Sequence, residues 1–251
     1  MKYFGKHDLS KLNRPIFGLY VSIPDPALIE MAYNAGFEFI RIDMEHILFS
    51  YDKVAELIRT ARLLGMEAQV RISNVSDITK FLDQGATGIM CPDVETPEIA
   101  KGVIKHVKYA PIGSRGMFPI SRFVKFGLEP FAPYMAQAND TVLTGIQIES
   151  VSAMERMDEI FSLEGLDMVS SGKADLSQSM GLSGQMSHPK VVEAENLIIK
   201  KAIEYGKEPT ALVSSRERVH ELWDMGVRIM TAGVDISMIA NLYKNTVDQL
   251  F

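Results

Sequence analysis

Short apolar runs recur along the chain, and each is followed by a turn and then by a stretch whose apolar positions keep helical spacing. Ile16 to Val21 reads as a first strand. The breaker segment Pro24-Asp25-Pro26 then opens a helix from Ala27 to Asn34, closed by Gly36. Phe37 to Ile42 is predicted as a second strand, running out into Asp43-Met44-Glu45-His46. Ser50 caps the next helix, whose Val54, Leu57, Ile58, Ala61 and Leu64 share one face up to Gly65. A third strand, Glu67 to Val70, delivers Arg71 at its end. Ser76 or Asp77 starts a short helix through Phe81 and Leu82 to Gly85. Thr87 to Met90 is a fourth strand that stops at Pro92, and Thr96-Pro97-Glu98 is a strong start for a helix reaching Tyr109.

Pro111 to Pro133 interrupts this rhythm with repeated Gly and Pro, and it reads as a long loop, functional or part of an assembly. Val142 to Ile148 is a fifth strand, followed by a helix from Ser152 to Phe161 and a sixth strand from Asp167 to Ser170. A polar segment, Gly172-Lys173-Ala174-Asp175-Leu176-Ser177-Gln178-Ser179-Met180-Gly181, comes next. His188-Pro189 opens a long helix to Tyr205. Thr210 to Val213 is a seventh strand, Ser215 to Met225 a helix, Val227 to Met230 an eighth strand, and Ser237 to Leu250 a last helix. Eight strands alternating with helices predict a parallel sheet, and eight units within 251 residues fit a (β/α)8 TIM barrel better than an open sheet. No composition shift marks a boundary, so residues 1–251 are expected to form one barrel domain, with residues 1–15 as an arm or short helix and 237–251 as the C-terminal helix.

Bulk properties narrow the function classes. Hydrophobic residues at 47% and charged residues at 23% are ordinary for a soluble globular protein. A formal net charge of −6 argues against nucleic acid as the partner, since phosphate binding needs a concentrated basic face. The single cysteine, Cys91, allows no internal disulfide, and its apolar surroundings mark it as a buried structural residue. No stretch approaches the roughly 20 apolar residues of a membrane span, and the N-terminus lacks a signal-like apolar core, so the cytoplasm is the expected location. Neither a G-x-G-x-x-G after the first strand nor a Walker-type loop is present.

In a (β/α)8 barrel, chemistry gathers at the C-terminal ends of the strands. The polar residues there are Asp43, Glu45 and His46 after strand two, Arg71 after strand three, Gln147 and Glu149 after strand five, and Asp175 after strand six. Asp83 sits within reach of that rim only if the third helix turns back towards it. Taken singly, Asp43 and Glu45 could be helix caps, His46 a surface histidine, Arg71 half of a structural ion pair, and the Asp175 segment an ordinary loop. Together they describe one chemistry. Glu149 and Asp175 are hard oxygen ligands suited to Mg²⁺, Mn²⁺ or Co²⁺. Such a metal would chelate a 2-oxo acid and stabilise its enolate, with Arg71 beside the developing oxyanion. His46, held by a carboxylate such as Asp83, would move the proton, and the backbone N–H groups of Ala174 and Asp175 would hold the substrate carboxylate.

From Phe17 to Asp235 the chain resembles the HpcH/HpaI aldolases. The resemblance is carried by Ile42-Asp43-Met44-Glu45-His46, Val70-Arg71-Ile72, residues 81–86 (FLDQGA), residues 111–116 (PIGSRG), Gln147-Ile148-Glu149, residues 172–181, His188-Pro189 and Gly233-Val234-Asp235. It implies class II, metal-dependent aldol cleavage or condensation of a small-molecule 2-oxo acid with an aldehyde, of the 4-hydroxy-2-oxoheptanedioate or 2-dehydro-3-deoxyglucarate aldolase type. Glu149 and Asp175 would be the metal ligands, Arg71 the enolate-neutralising group, and His46 with Asp83 the acid–base dyad. Gln147, Gly172, Lys173, Ala174 and Asp175 would contact the oxo acid, and Leu212 the electrophile. The resemblance also implies a homo-oligomer, a hexamer built from dimers, that exchanges the C-terminal helix. Two positions depart from the family pattern. Lys173 replaces the usual proline, and the loop 117–127 carries Arg122 and Lys125. These cations fit a polyanionic substrate and open a second reading, a citrate synthase-like condensation of an acyl-CoA with oxaloacetate. A third, non-catalytic binding barrel would have no need of so many polar groups at one rim.

Overall fold

The computed structural model describes residues 3–5 and 7–250. Eight strands, β1 (Ile16–Val21), β2 (Phe39–Asp43), β3 (Glu67–Arg71), β4 (Gly88–Cys91), β5 (Leu143–Ile148), β6 (Met168–Ser171), β7 (Glu208–Leu212) and β8 (Ile229–Val234), pair in parallel and close into a barrel in that order, with β8 returning to β1. Between them run α1 (Pro26–Asn34), α2 (Tyr51–Leu63), α3 (Ile78–Gln84), α4 (Pro97–Val107), α5 (Phe131–Thr141), α6 (Val151–Glu155), α7 (Met157–Phe161), α8 (Lys173–Ser179), α9 (Pro189–Glu204) and α10 (Arg216–Asp224), and α11 (Asp235–Leu250) ends the fold. Strict alternation in the strands explains the two cores. Ile40, Ile42, Val70, Ile146 and Ile148 face outward against Val54, Leu57, Ile104, Ile160 and Ile198 of the helices. Phe39, Met90, Leu143, Met168 and Ile229 face inward at the N-terminal end of the barrel.

The first residues are not a loose arm. Tyr3–Phe4 and His7–Asp8 pair as two short antiparallel strands, and Leu9–Lys11 forms one 3-10 turn. This segment delivers Phe4 and Leu9 into the inward cluster as a stopper for the barrel's lower mouth. Phe4 is 0% exposed and meets Phe39 edge-on with ring centroids 5.3 Å apart. Burying each such side chain stabilises by about 2 kcal/mol. Gly18 on β1 is required here, because a Cβ would overlap the Phe39 ring.

Several other expectations change. The segment 111–133 is not wholly loop: α5 begins at Phe131, with Pro133 in its first turn, where a missing N–H costs no intrahelical bond. The helix after β5 is broken at Arg156 into α6 and α7. The polar segment after β6 is a helix, α8, of seven residues. The last helix starts earlier than expected, at Asp235. Asp235 anchors the junction by accepting from the backbone N–H of Ser22 at 2.8 Å and of Ile23 at 3.0 Å. No helix among the described residues is long and apolar enough to cross a membrane.

Candidate active site

Strand register builds the first part of the site. Asp43 and Arg71 are direct partners at the C-terminal ends of β2 and β3, so their side chains emerge side by side. Arg71 donates to Asp43 twice, Nε to Oδ1 at 3.0 Å and Nη2 to Oδ2 at 2.7 Å, the fork geometry that fixes a guanidinium plane. Its Nη1 lies 2.8 Å from Glu45 Oε2. Glu45 is held above the usual carboxylate range by burial, against the pull of Arg71 and His46. Asp43 also accepts from the backbone N–H of Glu45 at 3.1 Å, which turns the chain after β2 and sets Glu45 beside the guanidinium. The Tyr20 ring stacks under Arg71, its centroid 5.1 Å from Cζ.

The second part hangs from β5. Glu149 is 5% exposed. It accepts from Gln147 Nε2 at 3.0 Å and from the backbone N–H of Asp93. Asp93 aims that N–H by taking φ 52, a left-handed conformation that Asp tolerates better than most residues. A Cβ at Gly172 would overlap Glu149 Oε2, so this glycine leaves the carboxylate its space at the start of α8. Burial pushes the Glu149 carboxyl up to about 7, and the charges of Glu45, Asp93 and Asp175 add to the rise. A carboxylate crowded by three others is an electrostatic arrangement that a divalent cation relieves. The donor chemistry fits: Glu149 is buried, the exposed Asp175 is near enough for its charge to act on it, and Asp175 lines the adjoining pocket. No cluster of three or more His, Cys, Asp or Glu able to hold a metal occurs among the described residues, so water and substrate oxygens would complete a shell begun by these two.

Between these parts lies a pocket of about 260 Å³. Arg71, Gln147 and Asp175 form its upper wall, Leu212 and Met186 its apolar side, and Arg41 with Thr231 its deep part. Lys173 lines it too, yet its charge is matched: Nζ lies 3.0 Å from Glu195, which is 1% exposed. Arg218 and Ser171 also bind Glu195, Ser171 Oγ donating at 3.1 Å.

The structure does not join His46 to Asp83. His46 stands at the rim, 59% exposed, with Nε2 3.7 Å from Glu45 Oε2. Asp83 accepts instead from the buried Arg115 at 2.6 Å. Of the two loop cations, Lys125 pairs with Glu129, and neither it nor Arg122 lines the pocket. Cys91 is buried and its thiol is pushed up to about 12 by burial, which makes it a poor nucleophile. Sequence reasoning missed Tyr20, Arg41, Asp93 and Glu195. Arg41 carried a usable signal, a charged residue inside the apolar run Phe39-Ile40-Arg41-Ile42. The other three carried none, since their roles depend on neighbours distant in sequence.

Comparison with known proteins agrees with this geometry. The model of the HpcH/HpaI aldolase/citrate lyase family matches residues 16–241. A 4-hydroxy-2-oxo-heptane-1,7-dioate aldolase of Escherichia coli is 29% identical over 233 residues, 92% of this chain and 88% of that protein. The crystal structure of the citrate synthase SbnG superposes with a TM-score of 0.87 at 31% identity, covering 94% of this chain and 93% of the other. An HpcH/HpaI aldolase from Desulfitobacterium hafniense DCB-2 superposes with a TM-score of 0.88 at 25% identity, with the same coverage.

Proposed function

The chain belongs to the HpcH/HpaI aldolase/citrate lyase family and is an enzyme of the lyase type; from that premise we propose that it makes and breaks a carbon–carbon bond through the enolate of a pyruvate-type 2-oxo acid, with a divalent metal held by Glu149 and Asp175. The observation that carries the reading is the placement of Arg71, fixed by Asp43 and Glu45, in one pocket with Asp175, whose charge adds to the crowding at Glu149.

The metal would supply Lewis-acid polarisation of the substrate's keto oxygen. The chain's own residues do the rest. Arg71 is held by two carboxylates before substrate arrives, so its remaining face is pre-set beside the oxygen that gains charge. Gln147 fixes Glu149 through Nε2 and leaves its own Oε1 free for a substrate hydroxyl. His46, exposed at the rim with Glu45 behind it, is placed to exchange a proton with substrate or water. Leu212 and Met186 present an apolar wall to the electrophile.

The enzyme acts as a homo-oligomer through α11. Only Asp235 of this helix is buried, while Ile236, Met238, Leu242, Tyr243, Val247 and Leu250 are exposed. An apolar helix face left bare by its own barrel matches the exchanged helix that the family resemblance implies.

A second reading rests on the 31% identity to a citrate synthase and on Lys173, which lines the pocket with its charge paired to Glu195. Methyl proton exchange of pyruvate in D₂O, followed by NMR with Mg²⁺, Mn²⁺ or Co²⁺ and with chelator, separates the two. Metal-dependent exchange supports the aldolase. Absence of exchange with every metal overturns it and turns attention to oxaloacetate with acetyl-CoA.

A further inference from the structure

We propose that the floor of the pocket is a second anion subsite, built on Arg41, that takes a carboxylate of the substrate other than the one beside the oxo group. The inference rests on the 2-oxo acid reading of the pocket and adds to it the residues of this chain that would hold the ligand's second carboxylate.

Arg41 is 1% exposed, on the inward face of β2 one layer below Asp43. Its guanidinium donates to Gln69 Oε1 from Nε at 3.0 Å and from Nη2 at 2.8 Å, to Tyr20 Oη at 3.3 Å and to Met168 Sδ at 3.7 Å. All of these partners are uncharged. The other two fully buried cations among the described residues are matched, Arg115 by Asp83 and Lys108 by Asp167, and the half-buried Arg71 is matched by Asp43 and Glu45. Among the described residues no carboxylate comes within ion-pair distance of Arg41. A guanidinium withdrawn from water without a counter-charge is costly, and a bound anion offsets that cost.

Unpartnered polar atoms surround the same place. Gln69 Nε2, Thr210 Oγ1 and Thr231 Oγ1 are buried without a hydrogen-bond partner. Thr210, Thr231, Tyr20, Arg41 and Gln69 lie on β7, β8, β1, β2 and β3, five consecutive strands of the barrel. Arg41, Tyr20 and Thr231 line the pocket directly, so the floor is continuous with the space below Arg71. The Tyr20 ring contacts both guanidiniums, its centroid 5.2 Å from Arg41 Cζ and 5.1 Å from Arg71 Cζ, so the two cations share one neighbour. Two cations lining one pocket, with hydroxyl and amide donors around the lower one, match a molecule with a carboxylate at each end.

The test is calorimetric binding to the Mn²⁺-loaded enzyme, comparing pyruvate with 2-oxoglutarate and oxaloacetate, and acetate as a free anion. At least one diacid is expected to bind tenfold or more tightly than pyruvate, and acetate weakly. Arg41→Met should bring the diacid-to-pyruvate ratio to within about twofold, and Arg41→Lys should restore part of it. Thr231→Val, which keeps the side-chain shape, should lower the ratio without unfolding the barrel. No diacid preference in the wild type, or a preference that survives both Arg41→Met and Thr231→Val, overturns the subsite. So does acetate binding as tightly as the diacid, which would mark a site for any small anion. Pyruvate proton exchange, measured in parallel, keeps the two proposals distinct. Exchange without diacid preference defeats the subsite alone; an Arg41-dependent diacid preference without exchange defeats the aldolase reading alone.

Discussion

Replacing Glu149 with glutamine should stabilise the metal-free enzyme at alkaline pH, although it removes a carboxylate argued to hold the metal. The Glu149 carboxyl rises from its ordinary 4.5 to about 7, chiefly through burial. A raised folded value means that the fold favours the protonated group. Stability from this group is therefore complete below pH 4.5, falls as pH rises, and is lost above about pH 7. At 1.36 kcal/mol per pH unit, the ionised form destabilises the fold by at most about 3 kcal/mol at pH 8. For a chain of this size that corresponds to roughly 5–10 °C in melting temperature. The amide of the Glu149→Gln variant reproduces the neutral acid in shape. Its oxygen still accepts from the Asp93 N–H, and Gln147 can turn its unpartnered Oε1 towards the new NH₂ group.

The assay is thermal unfolding in chelator from pH 4.5 to 8.5 for wild type and Glu149→Gln. The two should melt together at pH 4.5, and the variant should melt several degrees higher at pH 8. Saturating Mn²⁺ should reverse the order, since only the wild type gains by binding. Parallel melting curves across the whole range, or a variant less stable at pH 8 in chelator, would refute the argument that crowded negative charge is stored at Glu149.

Arg71→Ala should reduce pyruvate exchange by at least about 10²-fold and lower the melting temperature, because Asp43 and Glu45 lose their shared cation; adding Asp43→Asn should recover stability and not exchange. Gly172→Ala forces a Cβ onto Glu149 Oε2, and metal titration should show at least tenfold weaker binding with the barrel's circular dichroism unchanged. Gly18→Ala pushes the Phe39 ring off the N-terminal stopper and should cost about 1–3 kcal/mol in chemical denaturation, with no effect on metal affinity. Leu242→Glu with Val247→Glu should shift the enzyme to a smaller species by light scattering, since both side chains are exposed on α11; an unchanged mass would remove α11 from the interface.

The barrel was legible because its strands are apolar runs closed by turn residues and its helices carry capping signals, as at Thr96-Pro97. α5 was not, because the breakers before it and Pro133 within it read as loop, whereas a proline in a first turn is harmless. The rim residues were legible for a geometric reason: a polar group that ends a buried run can only leave the sheet at its edge. Asp43 and Arg71 meet through register, which follows once strands two and three are neighbours. The His46–Asp83 pairing was carried by resemblance, and the chain places Asp83 on Arg115. Asp93 could not have been found by pattern, since its role depends on a left-handed φ and a backbone N–H, and no residue type announces either.

The charges of the pocket argue for the ligand more strongly than any one residue does. On the β5 side, Glu149, Asp175, Asp93 and Glu45 crowd negative charge, opposed at Glu45 by Arg71 and His46. On the floor, Arg41 holds a positive charge with only neutral partners. Each imbalance alone would favour a substitution, a neutral amide in one place and an aliphatic chain in the other, because burying unmatched charge weakens a fold. Asp175 on one side and Arg41 on the other line one cavity of about 260 Å³, so imbalances of opposite sign meet there. On the proposed reading, a metal ion with a multiply carboxylated oxo acid would cancel both at once, the cation at the carboxylates and the distal carboxylate at Arg41. Loading with both components should therefore raise the melting temperature by more than the sum of the two added separately, and strict additivity would show that the two halves of the pocket serve different ligands.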